Sequence, residues 1–220
     1  MMQSSRKIVP LQEIEREITV VNSKFIASLS PASGVDEARQ YIRLIKERYP
    51  TANHHVPAFL IGHGQSVIAH CNDDGEPSGT AGRPVLAVLQ GSGIRDVVVV
   101  VTRYFGGTKL GTGGLVRAYG DAVREALRFV KLAELVSTSM LHVLLDYPYY
   151  EPVRRLLERR HALLENEQFS EKVELTFRIL TSFEQQIEKE INELSSGRSS
   201  ISILQTGQLF RIPLDKATGC

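Results

Sequence analysis

The sequence predicts an α+β protein of two domains, an N-terminal α/β domain over residues 1–134 and a C-terminal ferredoxin-like βαββαβ domain over 135–220. Three observations carry that prediction. Residues 97–101 are consecutive valines, the composition of a strand buried on both faces. Residues 115–130 place Leu115, Tyr119, Ala122, Ala126 and Val130 on one helical face, with Arg117, Asp121, Arg124 and Arg128 opposite. From about residue 135 the glycine-rich pattern gives way to a regular order of strand, helix, strand, strand, helix, strand.

In chain order, residues 18–21 and 25–29 read as short strands flanking Asn22-Ser23, a hairpin. Residues 34–49 move to helical spacing through Val35, Ala38, Tyr41, Ile42 and Ile45, with Pro50 just beyond. Strands follow at 55–61 and 67–69 around the glycines at 62 and 64. A turn-rich stretch, 72–82, leads into a helix over 84–89, whose Pro84 suits a first turn where its missing N–H has no partner to lose. The valine strand spans 96–102, and glycines at 106, 107, 111, 113 and 114 precede the long helix. In the second domain, strands are expected at 137–146, 162–169, 172–180 and 201–212, and helices at 150–160 and 183–194. No flexible linker separates the halves.

With 42% hydrophobic and 23% charged residues in 220, the chain has a globular balance. A chain of this size buries roughly 70% of its unfolded surface, so its core needs neither disulfide nor metal. Cys71 and Cys220, one mid-chain and one terminal, read as unpaired thiols of a reducing compartment. The first ten residues lack the apolar stretch of a secretion signal, and no apolar run approaches the ~20 residues that cross a bilayer. The expectation is a cytoplasmic protein with no membrane partner.

The net charge of +1 is unevenly spread: residues 1–134 carry +3 and residues 135–220 carry −2. Between Arg103 and Lys131 six bases face two acids, a local +4 that suits an anionic partner at one face.

Two segments concentrate chemistry. The first runs Asp73-Asp74-Gly75-Glu76-Pro77-Ser78-Gly79-Thr80-Ala81-Gly82-Arg83-Pro84, and the second Arg103-Tyr104-Phe105-Gly106-Gly107-Thr108-Lys109-Leu110-Gly111-Thr112-Gly113-Gly114. Each ends at an expected helix N-terminus, where free N–H groups and the helix dipole favour anions and glycine allows close backbone approach. Arg103, Lys109 and Arg117 gather positive charge at the second. Arg117 near a helix start opposes the dipole, a cost that a bound anion offsets. The plainer reading is turn chemistry, with Thr112 a cap and Arg117 paired to Asp121. Five glycines in 106–114 exceed what one turn requires.

Named cofactor motifs are absent: Lys109 precedes Gly111 rather than following it as in a P-loop, and Val116 stands where a dinucleotide fingerprint needs its third glycine. No cofactor is expected. Asp73, Asp74 and Glu76 offer oxygen ligands without EF-hand spacing, so turn formation outranks metal binding. His54 and His55 alternate across a strand, and His70 beside Cys71 has no further zinc ligands. Cys71 reads as a small strand-end residue rather than a nucleophile. The arginines at 154, 155, 159 and 160, interspersed with Glu151 and Glu158, read as a solvated helix face.

Those two segments, with the valine strand and Leu115-Val116-Arg117-Ala118-Tyr119 after them, resemble the hallmark blocks of the IMPACT/YigZ family over about residues 73–119. The surrounding order is similar to the bacterial two-domain members across nearly the whole chain. The resemblance implies a first domain similar to domain IV of elongation factor G and a second similar to its domain V. It also implies a link to translation, since eukaryotic members act as translation regulators with an additional N-terminal domain not seen in this sequence.

The expected function is a non-catalytic, translation-associated regulator binding RNA or a ribosomal component. Its contact surface would comprise Arg103, Tyr104, Phe105, Gly106, Gly107, Lys109, Gly111, Thr112, Gly113, Gly114 and Arg117, with phosphates on the bases and nucleobases stacked on the aromatics. Asp73, Asp74, Glu76, Ser78, Thr80 and Arg83 form a possible second patch. The alternatives are an enzyme for a small phosphorylated or acyl substrate, using those acids, and a protein-binding module. The oligomeric state is left open.

Overall fold

The computed structural model describes residues 6–64 and 66–214. It divides into two compact units, Met1–Leu135 together with the chain from Arg211 on, and Val136–Phe210. The second domain expected over 135–220 therefore gives up its end: the Leu214 N–H donates to the Leu132 carbonyl at 3.0 Å, tying the returning chain to the first unit.

The first unit is built on an antiparallel sheet in the order β2-β3-β6-β4-β5, from β2 (Ile14–Val20), β3 (Ser23–Pro31), β4 (His54–Ile61), β5 (Ile68–Cys71) and β6 (Val97–Tyr104). The valine strand β6 lies at its centre between β3 and β4. Because side chains alternate across a strand, its valines feed two cores. Val97, Val99 and Val101 pack with α2 (Gly82–Gly91) and α3 (Gly111–Phe129). Val98 and Val100 pack with Ala38, Tyr41 and Ile45 of α1 (Val35–Arg48).

Two features escaped the sequence reading. A three-residue strand, β1 (Ile8–Pro10), pairs with Leu132–Glu134 at the start of β7 (Leu132–Leu145). The helix α3 begins at Gly111 rather than Leu115, taking Gly111, Gly113 and Gly114 into its first turn.

The second unit has the expected βαββαβ order: β7, α4 (Tyr147–Arg159), β8 (Leu163–Phe169), β9 (Val173–Leu180), α5 (Glu184–Leu194) after a short 3₁₀ turn, and β10 (Ser200–Pro213). Its strands lie in the order β10-β7-β9-β8, the arrangement of two interleaved βαβ halves. Leu141, Val143 and Leu145 of β7 and Val173, Leu175, Phe177 and Ile179 of β9 pack against Val153, Leu156 and Leu157 of α4 and Ile187 and Ile191 of α5.

Candidate functional site

The two chemistry-bearing segments meet at one end of the first unit's sheet. The odd-numbered register that buries Val97, Val99 and Val101 carries on to Arg103, which sits between Phe25 of β3 and His54 of β4. A cation in that row needs an internal partner, and the turn before α2 supplies one. Arg103 Nη1 donates to Glu76 Oε1 at 2.6 Å, and the Tyr119 hydroxyl from α3 donates to the same oxygen at 2.7 Å. His54 Nε2 lies 3.8 Å from it. The Glu76 and Arg103 side chains are only 3% and 6% exposed, so the pair is held in a low-dielectric setting where mutual neutralisation decides stability. The guanidinium also lies over the Phe25 and Phe105 rings, at 5.4 and 5.6 Å from their centroids. Burial, then the bond to Glu76 and its charge, push the Tyr119 phenol far above its ordinary value, so it stays a protonated donor.

Around this cluster the first segment is consumed by its own architecture. Asp73 Oδ1 accepts the N–H groups of Ala81 and Gly82 at 3.1 and 2.8 Å, and Oδ2 accepts that of Gly79 at 2.8 Å. This carboxylate closes the start of α2, the place where an external anion was expected. Burial pushes the Asp73 carboxyl up, but these three donors outweigh it and leave it below the ordinary range. Asp74 Oδ2 accepts the His55 N–H at 2.7 Å, its Oδ1 takes Lys46 Nζ at 2.9 Å, and its carbonyl accepts His54 Nδ1–H at 2.8 Å. Its carboxyl is also lowered, the His55 and Lys46 bonds overcoming burial. Thr80 is buried and donates its hydroxyl to the Pro77 carbonyl at 2.6 Å. Gly82 is dictated by packing, since a Cβ there would come within 2.8 Å of the Asn72 backbone. Of the possible second patch, Ser78 and Arg83 are exposed, whereas the three acids and Thr80 serve the fold.

The second segment splits in two. Its beginning is pinned: the Phe105 N–H donates to Asn53 Oδ1 at 2.8 Å and the Gly106 N–H to Ser23 Oγ at 3.1 Å. A Cβ on Gly106 would fall 2.1 Å from the Asn22 backbone, so only glycine fits against the β2–β3 turn. Gly107 and Gly111 take left-handed φ of 84° and 69°. Its end is open. Among the described residues no side chain caps the start of α3, and no acid stands in its first turn. Thr108, Lys109, Gly111, Thr112, Gly113, Val116 and Arg117 are exposed there, with Gly114 half-buried. Among the described residues neither Lys109 nor Arg117 has an ion-pair partner; Asp121 goes to Arg124 at 2.6 Å instead. Phe105 is 46% exposed, while Tyr104 is half-buried and points to the opposite face of the sheet from Arg103.

Arg103 thus departs from the sequence expectation. A guanidinium was expected to meet an external phosphate, but Glu76 already occupies it. The acid–base arrangement imagined for an enzyme departs too, because Asp73, Asp74 and Glu76 are each bonded internally. Cys71 lies half-buried on the edge strand β5, its thiol pushed up by burial and by Asp73, the reverse of an activated nucleophile; Cys220 lies outside the described residues. Among the described residues no group of three or more His, Cys, Asp or Glu side chains is placed to hold a metal ion, and no helix is long and apolar enough to cross a membrane.

Sequence reasoning missed the joining of His54, Glu76, Arg103 and Tyr119. One signal was present: an arginine continuing the odd-numbered face of a buried valine strand demands a buried acid nearby.

Comparison with known proteins follows the same division of the chain. The Impact N-terminal domain family matches residues 21–127, and a domain of unknown function (DUF1949) matches residues 143–198. The IMPACT family member YvyE of Bacillus subtilis is 39% identical over 187 residues, covering 85% of this chain and 86% of that protein. An IMPACT family member of Haemophilus influenzae is 36% identical over 202 residues, 91% of this chain and 98% of that one. Among solved structures, a crystal structure of a hypothetical protein matches with a TM-score of 0.60 and 29% identity over 91% of this chain and 98% of that one.

Proposed function

The chain belongs to the IMPACT family, and we propose that it is a non-catalytic, translation-associated regulator of the cytoplasm that binds RNA or a ribosomal component through the start of α3. The observation that carries this reading is the contrast between two helix starts. At α2 the fold supplies its own anion, Asp73; at α3 the first residues are exposed and, among the described residues, their N–H groups are uncapped and Lys109 and Arg117 beside them unpaired. An external phosphate at α3 would take the place that Asp73 fills at α2. Phe105, exposed at the same end, offers a stacking surface, and Gly111 and Gly113 allow the nucleic-acid backbone to approach closely. Arg103 supports this surface from beneath through Glu76 and the Phe105 ring rather than touching phosphate. The internal bonding of the three acids weighs against the enzyme reading.

The test is a salt titration of binding to a single-stranded RNA oligonucleotide. Lys109→Ala and Arg117→Ala should each weaken binding and lower the magnitude of the log–log salt slope by ~0.7 per lost phosphate contact. Phe105→Ala should cost about 1–3 kcal/mol with the slope unchanged. A well-folded wild-type chain that binds no RNA at low salt overturns the proposal and leaves a protein partner as the reading to pursue.

A further inference from the structure

The second unit leaves one strand edge unprotected. In its order β10-β7-β9-β8 the two edge strands are β8 and β10, and the two are built differently. β8 carries Glu165 and Glu167 and a register irregularity between Leu164 and Asn166, devices that discourage another strand from pairing. β10 carries no charged residue from Ser200 to Phe210, and among the described residues its only strand partner is β7. Gly207, at φ 71°, is its single interruption.

Burial sharpens the contrast. Every residue from Ser202 to Leu209 is exposed, including Ile203 at 44%, Leu204 at 52% and Leu209 at 61%. Ile203 and Leu204 are adjacent and point to opposite faces, so a partner laid on one face would leave the other wet. A strand added at the free edge gives both a cross-strand neighbour and satisfies the outward N–H and C=O groups.

We infer that the free edge of β10 is a pairing surface for a second copy of this chain, formed by antiparallel β10–β10 addition across a two-fold axis. Charge selects this occupant. The uncharged stretch from Ser200 to Phe210 meets itself without like-charge repulsion, whereas β8 paired with its copy would bring glutamates together. An isologous pairing uses the same edge on both copies and closes at two.

Sedimentation velocity and light scattering on the full chain, from about 1 to 300 µM, test the inference. The wild type should convert from monomer to dimer within that range. Leu204→Lys/Leu209→Lys, which places charge on exposed positions only, should weaken the dimer at least about tenfold. Leu164→Lys on β8, with an unchanged circular dichroism spectrum as for the double variant, should leave it alone. A wild type that stays monomeric at the highest concentration, or a dimer that survives the β10 double variant intact, overturns the inference.

Discussion

Replacing Glu76 by glutamine removes one negative charge and changes little else in shape. Arg103 would then remain buried, 5% exposed, with a neutral acceptor where its carboxylate stood. Among the described residues its Nε already lacks a hydrogen-bond partner, so none of them stands ready to compensate. Removing one member of a buried ion pair costs about 3–5 kcal/mol, because the surviving charge is left in low dielectric. Tyr119→Phe provides the scale for a milder loss: it deletes one donor to the same oxygen and should cost about 1.5–3 kcal/mol. Glu76→Leu combined with Arg103→Met should recover most of the Glu76→Gln loss, since a buried pair exchanged for apolar side chains of similar volume is often neutral. The assay is urea unfolding followed by far-ultraviolet circular dichroism and tyrosine fluorescence, as the chain has seven tyrosines and no tryptophan. The two units have separate cores, so the variant should shift the first unit's transition, by about 10 °C in a thermal scan. A Glu76→Gln loss below about 1 kcal/mol, or a double variant worse than the sum of its parts, refutes a dehydrated pair.

Three further outcomes are expected. The Asp73 carboxyl is held below its ordinary value in the folded chain, so its stabilisation is present above the unfolded value of about 4 and is lost as pH falls through the lower folded value; Asp74 has the same sign. Asp73→Asn should therefore flatten the acid limb of stability measured by thermal melts below about pH 4. Within the glycine-rich segment, Gly106→Ala should destabilise by about 1–3 kcal/mol through collision with the Asn22 backbone, whereas Gly113→Ala, with open space around it, should gain up to about 1 kcal/mol in chemical denaturation while weakening RNA binding.

The sequence by itself determined what local periodicity encodes. The valines of β6 could only be a buried strand, the stripe through Leu115, Tyr119 and Ala126 could only be an amphipathic helix, and the βαββαβ order of the second unit was legible element by element. That Lys109, Thr112 and Arg117 lie exposed was legible too, because polar residues at a helix start keep their local character. Only the tertiary structure decided the rest. β1 is three residues long and is a strand only because residues far along the chain at Leu132–Glu134 offer it a ladder. Whether Asp73 caps α2 depends on how the turn from Asn72 to Gly82 folds back, which no spacing rule encodes. Arg103 and Glu76 are 27 residues apart, and either could equally face water. Burial in the same core makes them partners, since a charge removed from water must find its complement wherever the fold has placed it.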